Sequence, residues 1–363
     1  MSFSFHNNSI LPRDSALVQS IESASAVLYD RMRSLDYLDL PISDYSKKYM
    51  GEHIRKLTYS LRVYGFILSW SILKTGKKPG DLCLADNGGG TGILSLLAKA
   101  AGVKTVVYND YYDISCRDAS VIGTALGFPA DSYVHGEIDA LGNFFTGRGI
   151  HCDIIASRNL IEHIYDLEGY FRTCYVLFSA PLVIFHATTA NVKNPLINLY
   201  TKKLHRIAEY KGKKTDWGFK QMDSSTPFSE LRRQIIGEHA RGVPETEIKK
   251  LVRATRGLSA DDIVKAMEEY RNGGTIPSPP VHPTNTCDPA TGNWEEQLVS
   301  PRQYRDLAEK NGFDLEIING FYNTNYDNKL LNPIASVVNY VIRKSPQSMG
   351  AYAAPFIGLC FTK

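Results

Sequence analysis

The stretch that most constrains this chain is LCLADNGGGTGILSLLAKAAG, from Leu82 to Gly102. A short apolar run ends in Asp86, the glycines Gly88, Gly89, Gly90 and Gly92 follow in close order, and a helical apolar pattern begins at Ile93. The reading is strand, tight turn, helix. Glycine serves where the backbone needs positive φ or where a ligand must approach it with no Cβ in the way. Such a turn delivers its ligand to the unpaired N–H groups of a helix start.

Two ligand classes use this turn, and spacing separates them. The dinucleotide form G-x-G-x-x-G/A needs a small residue at its last position. Counted from Gly88 that residue is Ile93, and counted from Gly90 it is Ser95. The stretch fits acid-x-Gly-x-Gly-x-Gly instead, with Asp86, Gly88, Gly90 and Gly92 in order, and here it resembles motif I of the class I S-adenosylmethionine-dependent methyltransferases. The resemblance implies that Asp86 and the glycine backbone hold the amino-acid end of S-adenosylmethionine.

The residues downstream agree. The next apolar run, TVVYND (Thr105 to Asp110), ends in an acid at about the 20-residue distance where an α/β nucleotide fold places its ribose ligand. By resemblance Asp110 is that ligand, with Tyr111 beside it. A third strand near Tyr133 to His135 leads to Gly136, Glu137, Ile138 and Asp139, where Asp139 stands near the adenine. A fourth, CDIIASRNLIEHIYDLEGYF (Cys152 to Phe171), resembles motif IV and its sequel, with Asp153 opening it, Ser157, Arg158 and Asn159 at its carboxyl end, and Asn159 at the cofactor. These matches cover Asp81 to Thr188. They imply an α/β, Rossmann-like, seven-stranded, mostly parallel sheet with the last strand antiparallel, preceded by N-terminal helices and interrupted by a helical insertion after the fifth strand.

Composition bounds the rest. In 363 residues, 43% hydrophobic and 22% charged, the formal charge is only +3, so nothing in the balance of charge points to nucleic acid. Six scattered cysteines with no C-x-x-C suit a reducing cytoplasm and no structural zinc. No signal peptide is read at the start, and the apolar run Tyr64 to Leu73 is about half of what a membrane span requires.

Four segments are expected. Residues 1–80 are helical, with a stripe at Tyr59, Val63, Phe66, Ile67 and Trp70 that packs on the sheet; Tyr45, Tyr49 and His53 could instead form a lid. Residues 81–190 form the cofactor core, in which strands alternate with helices, including Asp113 to Leu126 and Asp166 to Phe178. Residues 191–299 form a helical insertion and loop that cap the acceptor, with Thr226 capping a helix that opens at Pro227 and Ser259 with Asp262 making a capping box. Residues 300–363 complete the core, from the Ser300-Pro301 helix start to a final strand at Ala354 to Phe361.

Methyl transfer from a sulfonium asks the protein for alignment and, with a hydroxyl acceptor, for a base. By resemblance the loop of His163 faces the methyl group, so His163 is the expected base, and His186, at the end of the fifth strand, is the second catalytic candidate, expected to contact the acceptor. His282 and Trp294 become acceptor contacts if the loop from Thr275 to Gln297 folds over the pocket. Glu162 could orient His163 or bind a divalent ion, which Asp288, Glu295 or Glu296 would have to complete; a solvated Glu162 is the simpler reading, and no metal is expected. The position after the fourth strand reads SRNL rather than the Asn/Asp-Pro-Pro-Tyr/Phe of enzymes that methylate planar nitrogens. The expected acceptor is therefore an oxygen of a small molecule or glycan, with some likeness, through HPTNTCDP (His282 to Pro289), to methyltransferases of bacterial surface-polysaccharide clusters. A catalytically silent S-adenosylmethionine-binding partner or sensor is the alternative.

Overall fold

The apolar runs between Leu82 and Thr188 become five parallel strands joined by right-length helical crossovers, β1 (Cys83–Asn87), β2 (Thr105–Asp110), β3 (Ser132–His135), β4 (Ile154–Arg158) and β5 (Val183–Thr188). The computed structural model describes residues 3–5, 11–12, 14–212, 225–240, 242–274 and 284–363. By contacts the chain divides into two units: Met1–Ile161, Leu167–Asn194 and Ser300–Lys363 in the first, Glu162–Asp166 and Pro195–Val299 in the second.

In the first unit α1 (Ser15–Ser34), α2 (Asp44–Arg55) and α3 (Leu57–Thr75) precede the sheet. Then come α4 (Ile93–Ala100), α5 (Asp113–Leu126), α6 (Ile138–Arg148) and α7 (Leu167–Leu177) between the strands. Two further strands, β6 (Asp314–Asn319) and β7 (Ile357–Thr362), complete a seven-stranded sheet of order 3-2-1-4-5-7-6. β7 runs antiparallel to both of its neighbours, and the expected Rossmann-like architecture is the one observed.

Period-two alternation assigns the faces. Ile154, Ala156, Val183, Phe185 and Ala187 share a core with α1, α3, α4 and α5. α3 is apolar nearly all round because it is buried on most of its circumference, and it stops at Gly76, whose φ of 67° is left-handed. Phe66 meets Phe185, Phe321 and Phe356 edge to face. Residues of the opposite parity, His186 and Phe361, meet Phe171 of α7.

After β5 the second unit supplies α8 (Pro195–Tyr210), α9 (Phe228–His239), α10 (Glu245–Ala254) and α11 (Ala260–Gly273). Ile236, Ala240, Leu251, Ile263 and Met267 form its small apolar core. Beside that core Arg232 and Glu209, both buried, form an ion pair, and Glu209 also accepts from Thr286 Oγ1 at 2.7 Å. The first unit then resumes with α12 (Pro301–Lys310), capped by Ser300 with Gln303 as a full capping box, followed by β6, α13 (Leu331–Lys344), α14 (Gln347–Gly350) and β7.

Two caps differ from their sequence reading. Pro227 is itself the N-cap of α9, because its carbonyl already accepts from Glu230 and Leu231, so the helix opens at Phe228 and not at Pro227. At α11 the Ser259 side chain accepts from Asp262 N, but Ser259 N donates to Tyr165 Oη at 3.0 Å and Tyr165 Oη donates to Asp262 at 2.6 Å. A tyrosine hydroxyl is thus inserted where the reciprocal bond of a capping box would run.

Candidate functional site

The glycine turn follows β1 and opens α4. Gly88, Gly90 and Gly92 hold φ of 69°, 55° and 75°, the left-handed region that L side chains rarely adopt. Gly89 is needed for another reason, because a Cβ there would lie 2.4 Å from Tyr108 Cε2 and 2.9 Å from Asp86 Oδ2. Gly88 N and Gly89 N donate to the Asn109 carbonyl at 2.9 and 3.1 Å, which ties the turn to the end of β2.

Asp86 and Asp110 both face this turn, and each has partners inside the protein. Asp86 Oδ2 accepts from Ser95 N at 3.0 Å and from Ser95 Oγ at 2.8 Å, so it satisfies a donor of the first turn of α4, for which Gly92 has no side chain. Burial pushes its carboxyl up to about 7; the Ser95 bonds oppose that shift and the neighbouring Asp110 charge adds to it. Asp110 Oδ2 accepts from Gly90 N at 3.0 Å, and its Oδ1 accepts from Tyr112 N at 3.0 Å.

Helix α2 stands over the turn: a Cβ on Gly90 would lie 3.5 Å from Tyr49 Cε1. Tyr49 stacks with Tyr45 at 6.0 Å and meets the His53 ring edge-on at 4.7 Å. The His53 base is pushed down to about 3 by burial, then by the charges of Arg158 and Lys56. Arg158, the last residue of β4, lays its guanidinium over the Tyr64 ring at 4.9 Å, and its Nη1 is buried with no hydrogen-bond partner among the described residues. Sequence reasoning assigned Arg158 no role. The signal was a cation at a strand's carboxyl end, the edge where open α/β sheets bind ligands.

The remaining cofactor residues occupy the same unit. Asn159 follows β4 with φ of 53° and donates its N–H to the Ala187 carbonyl at 2.8 Å. Asparagine is among the few residues that accept this left-handed conformation. Tyr111 is partly exposed and meets Tyr112 edge to face, and Asp139 is exposed in the first turn of α6.

His186 is wholly enclosed. Its Nδ1 lies 2.6 Å from Ser157 Oγ, and Tyr170, Phe171 and Phe361 surround the ring. Burial pushes its base down to about 3, which keeps the imidazole neutral.

The second unit brings together Glu162, His163 and Trp294. Trp294 N donates to the His163 carbonyl at 3.2 Å and Gln297 N to the Glu162 carbonyl at 2.9 Å, so the two segments are stitched through their backbones. The Trp294 carbonyl lies 2.8 Å from His163 Nδ1. The indole stacks on Tyr165 at 6.0 Å and donates Nε1–H to the Tyr165 carbonyl at 3.2 Å, so Trp294 packs within its own unit. Glu162 is fully buried and not solvated as expected, because the segment bonded to it covers it. Burial disfavours a charged His163, but Glu296, Glu162, the Trp294 carbonyl and Glu295 outweigh it, and the imidazole is raised above its ordinary value. His282 lies outside the described residues.

No protein-family model matches the chain, and no curated protein matches it. Solved structures do. The plantazolicin methyltransferase BamL, in complex with a triazolic desmethylPZN analog and SAH, is 12% identical, with 97% of this chain and 99% of that chain covered and a TM-score of 0.40. An S-adenosylmethionine-dependent methyltransferase from Mesorhizobium loti is 11% identical over 81% of this chain and 97% of its own, with a TM-score of 0.36. The assignment of the fold rests on this chain's own strand order. Among the described residues no helix is long and apolar enough to cross a membrane.

Proposed function

We propose that this chain is an S-adenosylmethionine-dependent methyltransferase acting on an oxygen of a small molecule or glycan. One observation carries the reading: Asp86, the left-handed glycines and Asp110 share one sheet edge, with Gly90 N and the Asp110 carboxylate in direct contact. The fit to the cofactor is supported by the Cβ-free face of Gly90 beneath Tyr49.

In this reading Asp86, Gly88, Gly90, Gly92 and Asn159 hold the amino-acid end, Asp110 and Tyr111 the ribose, and Asp139 the adenine side. Arg158, with its buried Nη1, supplies the positive partner for the cofactor's carboxylate. The bound cofactor would bring a methyl group on a sulfonium and leave as a thioether. The chain's own work is alignment, exclusion of water beneath Tyr45 and Tyr49, and removal of the acceptor's proton, for which His163 is the proposed group. Residues 191–299, with His282 and Trp294, are proposed to select the acceptor.

Calorimetry with S-adenosylmethionine and, separately, NAD tests the cofactor. Binding of NAD alone would defeat the proposal. The complete enclosure of His186 favours a second reading, a cofactor-binding partner or sensor without turnover. Conversion of the cofactor to its homocysteine product with any sugar, oligosaccharide or quinone acceptor would end that second reading.

A further inference from the structure

We propose that Glu162, His163 and Glu296 form a site for one divalent first-row transition ion, with Mn2+ and Zn2+ as its probes. One ligating atom from each of these side chains lies within 4.8 Å of the other two, and His163 Nε2 is 3.9 Å from Glu296 Oε1. Bonds of about 2.0–2.2 Å to an ion set neighbouring donors roughly 3–3.5 Å apart. The cluster therefore needs only a small inward rotation of Glu296, whose side chain is 24% exposed.

Three features distinguish this cluster from a chance meeting of surface charges. The donors are mixed, an imidazole nitrogen and two carboxylates, and such a set suits a borderline ion better than an alkaline-earth ion. The other ring nitrogen of His163 is 2.8 Å from the Trp294 carbonyl, so Nδ1–H donates there and the Nε2 lone pair turns toward the glutamates. A second bond of this kind is what orients a ligating histidine and fixes its tautomer. Finally, Glu296 is one of two non-glycine residues with positive φ among the described residues, at 49°. A glutamate in that region is strained, and such strain gathers at ligand sites.

Backbone bonds fix the arrangement. Gln297 N donates to the Glu162 carbonyl and Trp294 N to the His163 carbonyl, on either side of Glu296. The Glu296 carbonyl lies 3.1 Å from His205 Nε2 on α8, which holds it from the other side. Three protein donors leave coordination positions open for water or an oxygen ligand. If that ligand is an acceptor hydroxyl, a point that rests on the methyltransferase reading, the ion would make that hydroxyl more acidic and its proton would pass to solvent water, in place of the base role proposed for His163.

The test uses the full chain, stripped with chelator, dialysed, and titrated with MnCl2 or ZnCl2 by calorimetry, with Mn2+ also followed by its electron-spin resonance. One ion per chain at micromolar or tighter Kd is expected. Glu296→Gln and His163→Gln should each weaken it at least tenfold, with the metal-free melting temperature of Glu296→Gln unchanged. Glu162→Gln alters a buried position, so the partly exposed Glu296 carries the decision. Absence of a stoichiometric ion, or equal Kd in parent, Glu296→Gln and His163→Gln, would overturn the site. Cofactor calorimetry on the metal-free chain separates that failure from failure of the methyltransferase reading.

Discussion

Ser157 and His186 are partners across the β4–β5 pair, and the serine hydroxyl reaches within 2.6 Å of the histidine's Nδ1. The pair joins two strand ends inside an aromatic wall, so its first consequence concerns stability. His186 stays neutral down to about pH 3, whereas in the unfolded chain it protonates near its ordinary value of 6.5. A depressed folded pKa contributes stability that is present above 6.5 and is lost as pH falls. At pH 5 that loss is about 2 kcal/mol for one such histidine. Denaturant midpoints at pH 7 and pH 5 should show a smaller acid loss in His186→Gln than in the parent. An equal loss in both would show that His186 titrates normally when folded.

Asp86 has the opposite sign. Its folded pKa, raised to about 7 from 3.8, means that the unfolded chain releases its proton first as pH rises. Its contribution is therefore present below about 4 and is lost as pH climbs to about 7. Asp86→Asn keeps an acceptor for Ser95 and cannot ionise. Relative to the parent it should gain stability between pH 5 and pH 7, and a pH-independent difference would refute the buried, protonated carboxyl.

At Asp110 two roles share one carboxylate, since it braces Gly90 N and is the proposed ribose ligand. Asp110→Ala should weaken S-adenosylmethionine binding by about 1.5–3 kcal/mol, the range for bonds to a charged group, and also lower the melting temperature. Asp110→Asn retains an acceptor for Gly90 and should recover more of the melting temperature than of the affinity. If Asn restores both alike, the residue serves the turn alone.

The turn itself separates space from recognition. Gly89→Ala forces a Cβ against Tyr108 and Asp86, and overpacking of this kind costs about 1–3 kcal/mol. Tyr49→Ala removes a ring that lies above Gly90 and also packs on Tyr45 and His53. It should reduce cofactor affinity along with a modest loss of thermal stability, and a fall in melting temperature with unaltered affinity would make Tyr49 a packing residue.

The succession of strands along the chain was legible because each of β1 to β5 is an apolar run ended by a polar residue at the ligand edge, and because α5 begins and ends where its sequence does, at Asp113 and Gly127. The stripe from Tyr59 to Trp70 does pack on the sheet, while Tyr49 from the preceding helix lies over the turn. What stayed hidden depended on contacts distant in sequence. Glu162 read as solvated because its neighbour Gln297 is 135 positions away, and the Tyr165 hydroxyl could not be read into the α11 cap from Ser259 and Asp262 alone. The enclosure of His186 likewise depends on Phe361, which reaches it only after β7 has paired.

In the second unit, Arg232 and Glu209 give a test independent of any ligand. Removing one partner of a buried ion pair strands the other charge and costs about 3–5 kcal/mol, whereas replacing both with apolar groups is often neutral. Arg232→Met should therefore destabilise far more than Arg232→Met with Glu209→Met, as read by thermal or denaturant melting. Equal losses would mean that water reaches the pair.

β7 lies between β5 and β6, and Val183 on β5 is aligned with Thr362 on β7. The sheet therefore contains an interior strand that no local hairpin can supply, and β6 joins only through it. Pairing over so long a separation must meet its loop-closure entropy before any contact rewards it. During biosynthesis the exposed edge of β5 waits while the whole second unit emerges, which makes that edge the place where premature pairing with another chain would divert folding.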